Sequence, residues 1–283
     1  MHSCTHTDIL GDEWYWWKTS EAPAKVTALN THKKQLKNDS KANSKASSNS
    51  ETVPKFRILC LHGYLQNEEA FRHRTGSLRK ALKSKAEFIF VDAPVTAVPL
   101  AADDEQACGG DSTVGVGLRG WWVAGENNDE ALAKNEGAQG VSPRVRPSQS
   151  KQAIGWDTSS EFLSQVSDTL GPFDGVLGFS QGASVAALLL AQNRLPTVKF
   201  AILISGFLPV DAELRKFVTH PGAIRIPSLH VIGENDTLVP RDRTQELENI
   251  FECPCVFAHD GRHMVPSNAE FRNIVKRFVE QIR

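Results

Sequence analysis

The chain has 283 residues, 40% hydrophobic and 23% charged, which is ordinary globular composition and enough for one domain with a deep core. Basic and acidic residues number 32 and 33, leaving a net charge of -1, so the balance gives no reason to expect nucleic acid or an anionic membrane as partner. No run approaches the roughly twenty apolar residues of a membrane span.

Residues 1–53 are expected to be a disordered N-terminal extension. Between Thr31 and Ser50 the chain is Lys, Asn, Ser and Ala with almost nothing to bury. Met1 to Leu10 lacks the apolar core of a secretory signal. Five cysteines, an odd number with no Cys-x-x-Cys pair, fit a reducing compartment, so the cytosol is expected, with the nucleus as the alternative. Upstream of the polar tract, Trp14, Tyr15, Trp16 and Trp17 form an isolated aromatic cluster.

Residues 54–283 are expected to form the folded domain. Phe56 to Leu61 is an apolar run ending in His62-Gly63 and predicts a buried strand. Asn67 to Leu82 has helical spacing, and Phe88 to Val91 is a second strand stopped by Asp92-Ala93-Pro94. A long irregular excursion then occupies about 95–154, a length that in a compact domain usually marks a functional excursion or partial disorder. Beyond it, strands are predicted at Val176 to Phe179, Phe200 to Ile204, Leu229 to Ile232 and Cys255 to Ala258. Helices are predicted at Ser159 to Leu170, Ala183 to Gln192, Ala212 to Val218, Arg241 to Phe251 and Asn268 to Ile282. Apolar strands alternating with amphipathic helices give an α/β fold, a mostly parallel sheet of about six strands flanked by helices on both faces.

The strongest chemical signal is Gly178-Phe179-Ser180-Gln181-Gly182, a G-x-S-x-G pentamer between a strand and a helix. Such a turn lifts the Ser180 hydroxyl above the sheet edge at a helix N-terminus, where partial positive charge favours an oxyanion. A serine hydroxyl needs a base, and in this arrangement an acid and then a histidine follow in loops after later strands. Asp236, after Leu229 to Ile232, is the better acid, with Glu234 as its rival. His263, just before the last helix, is the expected base. His259 ends a strand and is expected to make a structural contact. With Gly261 between them, His259 and His263 do not read as a helical zinc pair, and no metal is expected. Two backbone N–H groups should complete the site, Gln181 after the nucleophile and Tyr64 in the loop after the first strand. His62 is expected to anchor that loop rather than serve as a second base.

With these residues in place, the chain resembles the fungal family of serine hydrolases and its animal relatives, the ovarian-cancer-associated gene 2 esterases. The matching stretches include Leu59 to Asn67, Arg119-Gly120-Trp121-Trp122, Gly171 to Ala183, Ile204 to Phe207 and Pro227 to Gly233. The resemblance implies an α/β-hydrolase with Ser180, Asp236 and His263 as triad and carboxylesterase activity toward fairly apolar acyl esters. One departure stands out: the family has paired glycines before the catalytic histidine, and here Arg262 takes the second place. Trp121, Trp122 and Phe207 are the candidates for an apolar acyl site, with ordinary core or lid packing as the competing expectation.

The chemistry implied is double displacement through an acyl-enzyme, with a small acyl ester as substrate and no cofactor. The same triad would also serve a thioesterase or a protein deacylase. A weakly catalytic binding module on a hydrolase fold is the alternative from another class, and an acyltransferase would need an alcohol that outcompetes water. Oligomeric state is not legible at this level.

Overall fold

In the computed structural model, residues 54–99, 117–125, 145–218 and 220–282 are described. The expected disordered extension at 1–53, with its aromatic cluster and lysines, lies outside the described residues, as do 100–116 and 126–144 of the excursion. In chain order the elements are β1 (Phe56–Leu61), α1 (Glu68–Arg74), α2 (Gly76–Ala81), β2 (Ala86–Val91), β3 (Val95–Thr96), β4 (Arg119–Gly120), β5 (Val123–Ala124) and β6 (Ala153–Ile154). Then come α3 (Trp156–Leu170), β7 (Gly175–Phe179), α4 (Gln181–Ala191), β8 (Phe200–Ile204), α5 (Ala212–Arg215), β9 (Ser228–Gly233), α6 (Arg241–Asn249), β10 (Pro254–His259) and α7 (Ala269–Gln281).

Six strands form one parallel sheet in the order β10-β9-β8-β7-β1-β2. The strands are apolar end to end because both faces are covered. In β1, Leu59 and Leu61 join the core beneath α3, α4 and α6, while Ile58 and Cys60 join the opposite core with Phe71 of α1 and Phe271, Val275 and Phe278 of α7. The same alternation sends Val176 to the first core and Leu177 and Phe179 to the second. The chain runs outward from β1 to β2 and later outward the other way from β7 to β10. The carboxyl ends of β1 and β7 therefore flank a switch point, where open α/β sheets leave a crevice.

Two elements differ from expectation. The helix expected over Asn67 to Leu82 divides at Thr75, whose hydroxyl bonds back to the Phe71 carbonyl at 2.8 Å just before Gly76. Asn67 caps the first half, its side chain accepting from the Ala70 N–H at 2.8 Å. The expected helix at Ala212 to Val218 is a short turn, α5, capped by Asp211, whose other carboxylate oxygen accepts from the Ala153 N–H at 2.8 Å. The excursion is not wholly irregular: β3 pairs antiparallel with β4 and β5 with β6, so its described parts pair with one another.

Candidate active site

Ser180 sits between β7 and α4 with φ 53° and ψ -118°, a left-handed backbone that costs energy for a residue with a Cβ. Packing imposes it. The helix must start immediately above the sheet, and its N-terminus lies so close to β1 that a Cβ on Gly182 would stand 2.6 Å from the His62 carbonyl oxygen. The Ser180 N–H donates to the Ile204 carbonyl at 2.8 Å, tying the turn to β8. Leu65 (φ 60°) and Ser205 (φ 48°) also carry positive φ, so strained backbone gathers in the loops after β1, β7 and β8.

Asp236 and His263 come from the loops after β9 and β10. The Asp236 side chain is almost fully buried, and its Oδ2 lies 2.7 Å from His263 Nδ1. Its Oδ1 accepts from the N–H groups of Leu238 and Val239, both at 2.9 Å. Burial by itself would raise the Asp236 pKa. The His263 hydrogen bond and charge, with the two backbone donors, outweigh it and hold the carboxyl below its ordinary range. With Asp236 charged, His263 carries its proton on Nδ1 and leaves Nε2 as acceptor. Glu234, the rival acid, is exposed.

Ser180 and His263 line one pocket. Its walls include Leu65, Phe207, Leu238 and Val239, together with Pro147 and Ser148 from the end of the excursion. Tyr64 and Gln181 line it too. At the first position of α4, the Gln181 N–H is among the helix donors that have no intrahelical acceptor. Of the aromatic residues expected to bind substrate, Phe207 is at the pocket wall. Trp121 and Trp122 are fully buried in the core and lie outside the lining. Trp121 Nε1 donates to the His62 carbonyl at 2.8 Å, and Trp122 Nε1 to the Pro147 carbonyl at 3.1 Å. Trp122 thus holds the lining residue Pro147 from behind, while Trp121 ties down His62, just before the lining residues Tyr64, Leu65 and Gln66.

His62 has both ring nitrogens engaged, one within its own loop and one with the loop after β2. Nε2 accepts from the Ala93 N–H at 3.0 Å, which places the proton on Nδ1, 2.8 Å from the Gly63 carbonyl. Burial pushes its pKa down to about 4, so the ring is neutral at pH 7. His259 accepts from the Gly261 N–H on Nδ1 at 3.1 Å, bracing the turn that carries His263. Arg262, the residue before His263, is exposed.

One contributor has no motif to announce it. The Gln181 side chain, buried at the start of an Ala/Leu-rich helix, accepts from the Trp121 N–H and donates to the Trp122 carbonyl, both at 2.8 Å. It fastens the helix after Ser180 to the Arg119–Trp122 segment. A lone amide in an otherwise small and apolar helix was the available signal.

A model of the serine hydrolase (FSH1) family matches residues 51–275. Zebrafish (Danio rerio) esterase OVCA2 is 37% identical over 238 residues, covering 80% of this chain and 97% of its own. Esterase C25G4.2 of Caenorhabditis elegans is 37% identical over 234 residues, covering 81% and 94%. Human (Homo sapiens) esterase OVCA2 is 33% identical over 231 residues, covering 80% and 96%. Among solved structures, SOBER1 of Arabidopsis thaliana superposes with a TM-score of 0.52 at 17% identity, over 81% of this chain and 99% of that one. Esterase PE8 gives 0.52 at 19% identity, over 81% and 93%. At these identities the structures speak to the fold, which is that of an α/β-hydrolase. The sequence matches speak to descent, and the chain belongs to the FSH1 serine hydrolase family.

Proposed function

We propose that this protein is a carboxylesterase in which Ser180 attacks the ester carbonyl, His263 accepts its proton, and Asp236 orients and stabilises the resulting imidazolium. The observation that carries this reading is the 2.7 Å contact of Asp236 with His263 Nδ1, made where His263 and the strained Ser180 face one pocket. The N–H groups of Tyr64 and Gln181 receive the oxyanion. His263 then protonates the departing alcohol and activates water, which releases the acid and restores Ser180. Leu65, Phe207, Leu238 and Val239 give the acyl group an apolar wall, which favours esters of apolar acids. The relatives from zebrafish, worm and human are esterases by name, and they support an ester over a thioester.

The test is labelling with a fluorophosphonate probe, followed by hydrolysis of p-nitrophenyl esters. Wild type should label and turn over, while folded Ser180→Ala and His263→Ala should do neither. A folded wild type inert to both probe and esters would leave a binding role on a hydrolase fold as the better account.

A further inference from the structure

We infer that Arg243 is a positioning residue that sets the substrate-binding wall, and hence the acyl-chain preference, of the proposed esterase site. Arg243 lies on α6, the helix that follows the Asp236 loop, and it does not line the pocket. One guanidinium nitrogen, Nη2, donates to the Leu208 carbonyl at 2.7 Å and to the Ser148 carbonyl at 3.0 Å. The guanidinium carbon stands 5.5 Å from the centre of the Phe207 ring.

Ser148 and Phe207 both line the pocket, and they belong to segments far apart in sequence: Ser148 is 95 residues from Arg243. A single planar cation therefore ties two pieces of the wall, the 145–150 segment and the loop after β8, to the helix after Asp236. Among the described residues the Arg243 guanidinium donates to the backbone carbonyls of Leu208 and Ser148, and its buried Nε has no hydrogen-bond partner there. A guanidinium half-buried on carbonyls and an aromatic face, without a bonded carboxylate, is an expensive way to achieve stability alone. It does fit a clamp that needs a rigid fork and a flat stacking surface together, which lysine cannot provide.

The rest of the wall shows why this clamp decides shape. Phe207 is held at its backbone by Ser184 of α4, whose hydroxyl donates to the Phe207 carbonyl at 2.5 Å. Its ring meets Trp122 edge-on, with centroids 6.4 Å apart. Trp122 also holds Pro147. The face of the Phe207 ring and the Ser148 end of the 145–150 segment are what Arg243 controls.

The test rests on the esterase reading and separates the two. The substrates are p-nitrophenyl esters from acetate to octanoate, and the variants are Arg243→Met, Arg243→Lys and Phe207→Leu. Arg243→Met should raise KM about tenfold for the ester wild type prefers and flatten the chain-length profile, with kcat held within about threefold. Arg243→Lys should shift KM the same way by less, so the reasoning remains testable if the Met variant fails to fold. Arg243→Met combined with Phe207→Leu should cost less than the sum of the two single changes, because the arginine acts in part through that ring and in part through the Ser148 and Leu208 carbonyls. A folded Arg243→Met or Arg243→Lys with wild-type KM and profile overturns the inference, as does an equal loss of kcat on every ester. If wild type labels with fluorophosphonate, either result sinks this inference alone. If wild type neither labels nor turns over esters, both readings fall.

Discussion

Replacing Asp236 by Asn tests the proposed division of labour most sharply, because the change preserves shape and alters only where protons sit. Asp236 Oδ1 accepts two backbone N–H groups and Oδ2 faces His263 Nδ1. An amide must put its oxygen on one side and its NH2 on the other. With oxygen toward Leu238 and Val239, both loop bonds survive and the NH2 meets Nδ1. The reverse orientation leaves two buried donors unpaired, at about 1–3 kcal/mol each, and points an NH2 at them. The first orientation therefore wins. It obliges His263 to accept on Nδ1 and carry its proton on Nε2, the nitrogen that has to receive the Ser180 proton. By analogy with serine-protease triads, kcat should fall about a thousand- to ten-thousandfold. Stability should change by no more than about 1 kcal/mol, since the loop bonds remain. The assay is p-nitrophenyl butyrate hydrolysis beside thermal unfolding followed by circular dichroism. A folded Asp236→Asn with kcat within tenfold of wild type would show that Asp236 does not set the tautomer of the base.

Three further outcomes follow from the same geometry. Burial holds His62 at a pKa of about 4 and His230 at about 3, against 6.5 when unfolded, so unfolding takes up protons below pH 6.5 and acid destabilises the fold. Each contributes up to about 1.4 kcal/mol per pH unit well below 6.5 and less near it, so stability should drop by about 3 kcal/mol between pH 6.5 and 5. Asp236, depressed below the ordinary carboxylate range, stays ionised throughout that window, and unfolding free energies from urea titrations at the two pH values that differ by less than about 1 kcal/mol would contradict the account. Gln181→Ala strands the buried Trp121 N–H and Trp122 carbonyl and should cost about 2–4 kcal/mol in denaturant unfolding; a loss under about 0.5 would show that the clamp is dispensable. Gly182→Ala would press a methyl against the His62 carbonyl and separate α4 from the loop carrying Tyr64. It should cost about 1–3 kcal/mol and lower kcat more than it raises KM, whereas unchanged kcat in folded protein would mean the oxyanion geometry tolerates the shift.

Much of this protein is local in origin, and that part could be read from the chain. A strand buried on both faces has to be apolar throughout, so β1, β7, β8 and β9 appear as runs such as Phe56 to Leu61 and Phe200 to Ile204. The turn holding Ser180 needs small residues on either side, which leaves a pentamer visible in any sequence that makes it. Asp236 and His263 could be picked out because each lies just beyond a strand, and parallel strands deliver their following loops to one edge of the sheet. The division of the first helix at Thr75 is also local, but weak: one hydroxyl and one glycine barely disturb the periodicity.

What the chain order could not convey is which groups meet across the fold. Trp121 and Trp122 look like pocket aromatics in sequence. Only the packing of the excursion against α3 and α4 shows them fully buried, with their indole N–H groups spent on the backbone carbonyls of His62 and Pro147. The hold of Gln181 on Trp121 spans 60 positions and that of Arg243 on Ser148 spans 95. No periodicity encodes such a pair, because each partner would suit many other environments equally well. The sequence by itself determined the sheet, the strained serine turn and the placement of Asp236 and His263 beyond successive strands, since these depend on short-range sterics and burial. The tertiary structure alone decided which side chains form the pocket and which brace it, since that depends on distances between segments the chain keeps apart.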